Sequence, residues 1–140
     1  MRRAFLWLKA VVVTTAVVIC LAFVYALYSS PAFSKGERYE FYAGTSSDEI
    51  VCSRSPFGKL AYPKAKGECA YYTGDRVEEL QNEFGAKVLF IEEAAGTINY
   101  YCYSPVFENE VALNGYTVNL HIAYNGRSTA AGTPIIFGGY

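Results

Sequence analysis

The chain has 140 residues, 12 basic and 13 acidic side chains and a formal net charge of −1, so it lacks the cationic excess that binding a phosphate backbone demands. Its four cysteines form no Cys-x-x-Cys pair and its one histidine has no His-x-x-His partner, so the usual zinc spacings are missing and no metal or other cofactor is expected. Apolar residues are unevenly distributed, and the first 34 residues have to be set apart before the fold is considered.

Residues 10–28, AVVVTTAVVICLAFVYALY, are 19 consecutive positions without a formal charge, preceded by Arg2, Arg3 and Lys9. A helix of that length spans about 28 Å at 1.5 Å per residue, close to the ~30 Å hydrocarbon core of a bilayer. Residues 1–34 therefore read as a cytoplasmic tip and a transmembrane anchor. The positive-inside rule puts the amino terminus in the cytoplasm and residues 35–140 outside the cell membrane, because Glu37 and Glu40 offset Lys35 and Arg38 on the far flank. A cleaved signal peptide is the alternative, with Ala32 and Ser34 as the small residues before Lys35. Its apolar stretch normally runs only about 7 to 15 residues, so the uncleaved anchor is preferred.

The exported part, residues 35–140, carries 9 basic and 13 acidic residues, a formal charge of −4, and suffices for one domain. Three of the cysteines lie there. An oxidising envelope permits one disulfide, and Cys52 with Cys69 closes the shorter loop, a bridge worth about 3 kcal/mol where geometry allows. The other reading makes the cysteines small buried apolar residues.

In chain order, residues 37–44, ERYEFYAG, alternate aromatic with polar side chains and meet a Gly-Thr-Ser-Ser-Asp turn at residues 44–48, predicting a first strand. EIVCS is a short second one. Residues 54–67 combine Pro56, Gly58 and Pro63 with four positive charges, the pattern of an exposed loop, either solvated or touching anionic wall polymer. Residues 68–72 read as a strand. Asp75 then stands as an N-cap with Glu78 three positions on, Val77, Leu80 and Phe84 fall on one helical face, and Gly85 sits where a C-terminal cap belongs. KVLFIEEAAGTINYYCYS follows as two strands joined by a short Ala-Ala-Gly loop. The first of these is apolar on both faces, with Val88 and Phe90 on one side and Leu89 and Ile91 on the other, which predicts a central strand.

Two Asn-Gly pairs, Asn114-Gly115 and Asn125-Gly126, flank a strand over residues 116–124 and signal two-residue hairpin turns. On that count Tyr124 pairs with Arg127, and His121 faces Ala130. Val118, Leu120 and Ile122 point one way, Asn119 and His121 the other. Pro134 cannot donate a ladder hydrogen bond and ends the last strand. Strand, helix, then antiparallel meander is an α+β order: one main amphipathic helix on a curved antiparallel sheet.

From Val77 onward the chain resembles the YwmB-like family of exported Firmicute proteins of unknown function, through ELQNEFGAKV, YYCYSP, VNLHIAYNG and the terminal GTPIIFGGY. The resemblance implies a TATA-box-binding-protein-like fold for residues 35–140 and supplies no catalytic residue. Members of that family are longer, with two similar halves. This chain has room for one, so it either folds alone or pairs with a second copy.

For function, His121 is the natural candidate base, with Cys69 or Cys102 as a conceivable nucleophile, but no orienting group or oxyanion site accompanies them, so hydrolysis or thiol chemistry is the weakest reading. Gly132-Thr133-Pro134 lacks the lysine and the following helix of a phosphate loop. Tyrosine is in excess, with 11 in the exported part. Tyr71, Tyr100, Tyr101 and Tyr103, joined by Asn119 and His121, make a candidate binding face. The expected function is a membrane-anchored, non-catalytic protein-interaction module of the cell envelope, with possible self-association. Binding of cell-wall glycan or peptidoglycan through the tyrosine face is the alternative, and nucleic acid is not an expected partner.

Overall fold

A computed structural model describes residues 2–44 and 49–139, so most of the turn expected at residues 44–48 lies outside the described residues. The chain divides into two units, Met1–Ser30 and Pro31–Tyr140. The first is a single helix, α1 (Arg2–Tyr28), of which Arg3–Tyr28 is long and apolar enough to cross a membrane. A helix meets that environment because it satisfies its own backbone hydrogen bonds, and the Thr15 hydroxyl adds one more to the Val11 carbonyl at 2.8 Å.

The second unit is α+β. Its strands are β1 (Arg38–Tyr42), β2 (Val51–Ser53), β3 (Gly67–Thr73), β4 (Lys87–Ala94), β5 (Thr97–Tyr103), β6 (Val111–Leu113), β7 (Tyr116–Val118), β8 (Leu120–Tyr124) and β9 (Ser128–Thr133). Helix α2 (Val77–Glu83) follows β3, and a 3-10 helix (Pro56–Ala61) occupies the basic segment after β2. Seven strands form one sheet, ordered β2-β1-β3-β9-β8-β5-β4 and antiparallel throughout, while β6 and β7 pair with each other.

Strand alternation separates two faces. On the helix face Tyr39, Phe41, Ala70, Tyr72, Cys102, Leu120, Ile122 and Ala131 meet Val77, Leu80 and Phe84 of the α2 segment. The predicted apolar stripe of the helix is thus the buried one. Its ends differ in one respect. The Asp75 carboxylate accepts from the Val77 amide at 3.0 Å, while Arg76 occupies the cap position without a side-chain bond. The Thr129 hydroxyl of β9 takes over, accepting from the Arg76 amide at 2.9 Å and donating to the Gly74 carbonyl. A neighbouring strand thus shares the capping expected of Asp75. Gly85, at φ +56, closes the other end: its amide bonds the Asn82 carbonyl and that of Ala86 the Gln81 carbonyl, the paired bonds of a Schellman motif.

Three sequence expectations need correction. Strand β4 lies at an edge of the sheet and carries a bulge between Val88 and Phe90, so those two side chains point to opposite faces. Apolar residues on both sides of a strand do not require a neighbour on each side in the plane of the sheet, and here Ile91 is left 56% exposed. The predicted strand over residues 116–124 is broken at Asn119. The buried Asn119 carboxamide accepts from the Ser104 amide at 2.7 Å and donates to the carbonyls of Ser104 and Phe107 at 2.7 and 2.9 Å, leaving β7 to pair with β6 and β8 with β5.

The last hairpin has a longer loop than Asn-Gly alone requires. Tyr124 pairs with Thr129 and His121 with Gly132, because the Asn125 side chain accepts from the amides of Arg127 and Ser128 and folds the turn around itself. At Asn114-Gly115 the expected two-residue turn forms, with φ of +50 and +79 and Leu113 opposite Tyr116.

Asn119→Ala leaves the buried amide and carbonyl of Ser104 and the part-buried carbonyl of Phe107 without their partner, so it should lower unfolding free energy by about 2 to 4 kcal/mol in denaturant titration. A midpoint equal to that of the parent chain would show that the break in the strand does not depend on this side chain.

Candidate functional site

The face of the sheet away from α2 contains several of the sequence-predicted site residues, Tyr71, Tyr101 and His121 among them, and its register fixes what each can do. Reading across the strands, Cys52, Glu40, Cys69, Gly132, His121, Tyr101 and Phe90 stand opposite one another in turn. Cys52 and Cys69 are both partners of Glu40, from opposite sides of β1. Two strand spacings, about 9 to 10 Å, separate their backbones, beyond the ~7 Å that a disulfide can span. The proposed bridge is therefore wrong, and both cysteines are free thiols. Burial pushes the thiols of Cys69 and Cys102 each up to about 12, so neither is a thiolate near neutrality.

The small side chains of Cys69, Ala123, Ala130 and Gly132 leave a shallow trough in this face, and the chain beyond β9 lies in it. A β-carbon on Gly132 would stand 2.9 Å from the Ile135 carbonyl oxygen, so the close approach requires glycine there. The tail is held from below. The Tyr42 hydroxyl donates to the Ile135 carbonyl, the Tyr42 ring meets Phe137 edge-on at 4.7 Å, and Tyr71 donates to Glu40 at 2.8 Å. The Arg38 guanidinium lies 3.9 Å above the Tyr71 ring and 3.4 Å from the Glu40 carboxylate. Desolvation raises the Tyr42 and Tyr71 hydroxyls above the ordinary phenol range, so both remain donors.

His121 belongs to the same device. It is 3% exposed, its Nδ1 accepts from the Ile136 amide at 3.3 Å, and its Nε2 lies 3.0 Å from the Asn99 carboxamide oxygen. These bonds assign the proton to Nε2. Burial lowers the imidazole to about 4. A general base needs a free nitrogen near its substrate; this ring is neutral, with Nδ1 bonded to the tail and Nε2 to Asn99 of β5.

Of the other candidates, Asn119 is buried in the strand break and Tyr100 packs on the helix-face core, opposite Tyr101. Tyr71 is partly covered by the tail, and Tyr103 is 43% exposed at the end of β5. The structure brings together Tyr101 and His121, stacked at 4.4 Å and 16°. It then extends the row with two rings the sequence reading did not place. Phe90 stacks on Tyr101 at 4.4 Å, and Tyr116 on Phe90 at 5.6 Å. Phe90 was within reach of the sequence: a two-residue loop at Ala95-Gly96 sets Ala94 against Thr97, and outward counting sets Phe90 against Tyr101. Tyr116 had no such signal, because its position depends on the break at Asn119. The row runs from the buried histidine to Tyr116, which is 46% exposed, and its Phe90 sits on the edge strand.

Keeping His121 neutral couples stability to pH. Its folded value, about 4, lies below its unfolded value of 6.5. The unfolded chain therefore binds the extra proton first as pH falls, and the contribution is whole above pH 6.5 and lost on the way to pH 4, up to about 3 kcal/mol. Glu68, raised by desolvation, acts in the opposite sense, so the comparison is parent against His121→Gln in detergent at pH 7 and pH 4.5. The gap in unfolding free energy should narrow at the lower pH; parallel curves would refute the assignment. Comparisons of the chain with protein-family models, with curated proteins and with solved structures give no match.

Proposed function

We propose that the chain is a membrane-anchored interaction module of the cell envelope, with residues 35–140 extracytoplasmic and no catalytic role, and that its working surface is the β4 edge with the adjoining ring row. Membership of the YwmB-like family is part of this proposal, and so is the orientation, which rests on Arg2, Arg3 and Lys9 before the apolar helix. The observation that carries the reading is the position of Phe90. Its backbone belongs to a strand at the sheet edge, and its ring lies between Tyr101 and Tyr116. An extended segment added to β4 would gain main-chain hydrogen bonds from the edge and aromatic contact from the row. Ile91, 56% exposed on the other side of the same strand, offers a second apolar contact.

Glycan recognition is the second reading, and the exposed end of the row favours it. Stacked rings cover one another's faces, so the surface open to the apolar face of a sugar ring is the outer side of Tyr116, which is 46% exposed. The two readings predict different partners at overlapping residues.

A photo-crosslinking residue at Ile91 in the native membrane should give a discrete adduct, and one at exposed Glu78 on α2 should not. Adducts at both positions, or at neither, would count against the edge. Retention on purified wall material that is lost in Phe90→Ser and Tyr116→Ser would move the assignment to glycan.

A further inference from the structure

We propose that residues 31–37 are a retained structural element of the exported domain, and that the chain is not processed at the small-residue site ending at Ser34. The proposal rests on the reading that the apolar helix enters the membrane, and it concerns what happens to the segment leaving that helix. Phe33 is 1% exposed. Its ring meets Phe84 edge-on at 5.5 Å and Phe107 at 5.8 Å, and those two lie 5.0 Å apart, so the three rings form one cluster on the helix face. One residue earlier, the Ala32 amide donates to the buried Glu68 carboxylate, whose same oxygen accepts from Lys59 at 3.2 Å. Downstream, Lys35 pairs with Glu83 at 3.0 Å, and the Glu37 amide donates to the Tyr71 carbonyl at 2.8 Å. Gly36 passes so close to β3 that a β-carbon would stand 3.0 Å from that of Ala70.

Removal of a leader precedes folding, so burial does not shield the bond between Ser34 and Lys35. The fold nevertheless uses what that cut would discard. A chain starting at Lys35 would lack one of three packed rings, leave Glu68 without its amide donor, and place a new ammonium group beside the gap. The domain is built to keep its anchor.

The test uses the full chain with a carboxy-terminal tag, recovered from cells and analysed by intact mass and amino-terminal sequencing. The expected product retains residues 1–34 and stays with the membrane after alkaline washing; a stable species beginning at Lys35 would overturn the proposal. Retained residues in a protein that washes off would instead overturn the membrane reading and leave this one standing. Thermal unfolding in detergent gives a second arm. Phe33→Ala should lower the midpoint by about 10 °C or more, Phe33→Leu by less, and Ser34→Ala not at all. An unchanged midpoint in Phe33→Ala or Phe33→Leu would show that the segment is not part of the core.

Discussion

A sheet apolar on both sides must be covered twice, and among the described residues the second unit has one α-helix, seven residues long, with which to do it. The remaining cover comes from irregular chain. On the helix face Phe33 supplements the short helix, joined by Phe107 from the segment between β5 and β6. On the far face the trough of Cys69, Ala123, Ala130 and Gly132 accepts the terminal segment, and Tyr116 lies against Phe90 farther along. Irregular chain brings backbone amides and carbonyls that no ladder satisfies, and these groups cannot be buried unpaired. Hence the buried polar residues. Glu68, Asn119 and His121 each receive or supply a backbone hydrogen bond at a place where regular structure stops.

That arrangement explains what the sequence made legible. Helix α2, the Asn114-Gly115 turn, the hairpin at Ala95-Gly96 and the end of the last strand at Pro134 all follow from local chemistry, and local chemistry is written in adjacent residues. The polar side chains that terminate or redirect elements were harder to read, because their partners are distant in the chain. Asn119 looked like an ordinary outward residue of an alternating strand, since nothing nearby announces a bond to Ser104 fifteen positions away. Asn125 was read through the residue that follows it, whereas its own side chain sets the loop. His121 attracted a chemical reading because histidine is scarce and reactive. Its partners, Asn99 and Ile136, come from another strand and from the tail.

The same reasoning divides the tyrosines. An excess of aromatic residues says that much ring surface must be placed, and it does not say on which side. Tyr100 and Tyr101 are adjacent in sequence and serve opposite faces, one in the core and one in the row. Only the register across β4, β5 and β8 sorts them, just as the register of β2 and β3 on β1 separates Cys52 from Cys69. The candidate surface is smaller than the tyrosine cluster suggested, and it is displaced toward the β4 edge.

The order of the strands carries a further consequence. β9, the last strand made, stands fourth of seven and joins β3 to β8. The early hairpin of β1 and β2 and the later meander of β4, β5 and β8 share no ladder without it. For a chain that emerges amino terminus first, the sheet cannot close until β9 has been made. The two halves must wait, each with an apolar face uncovered, so assembly of the domain is timed by the arrival of β9.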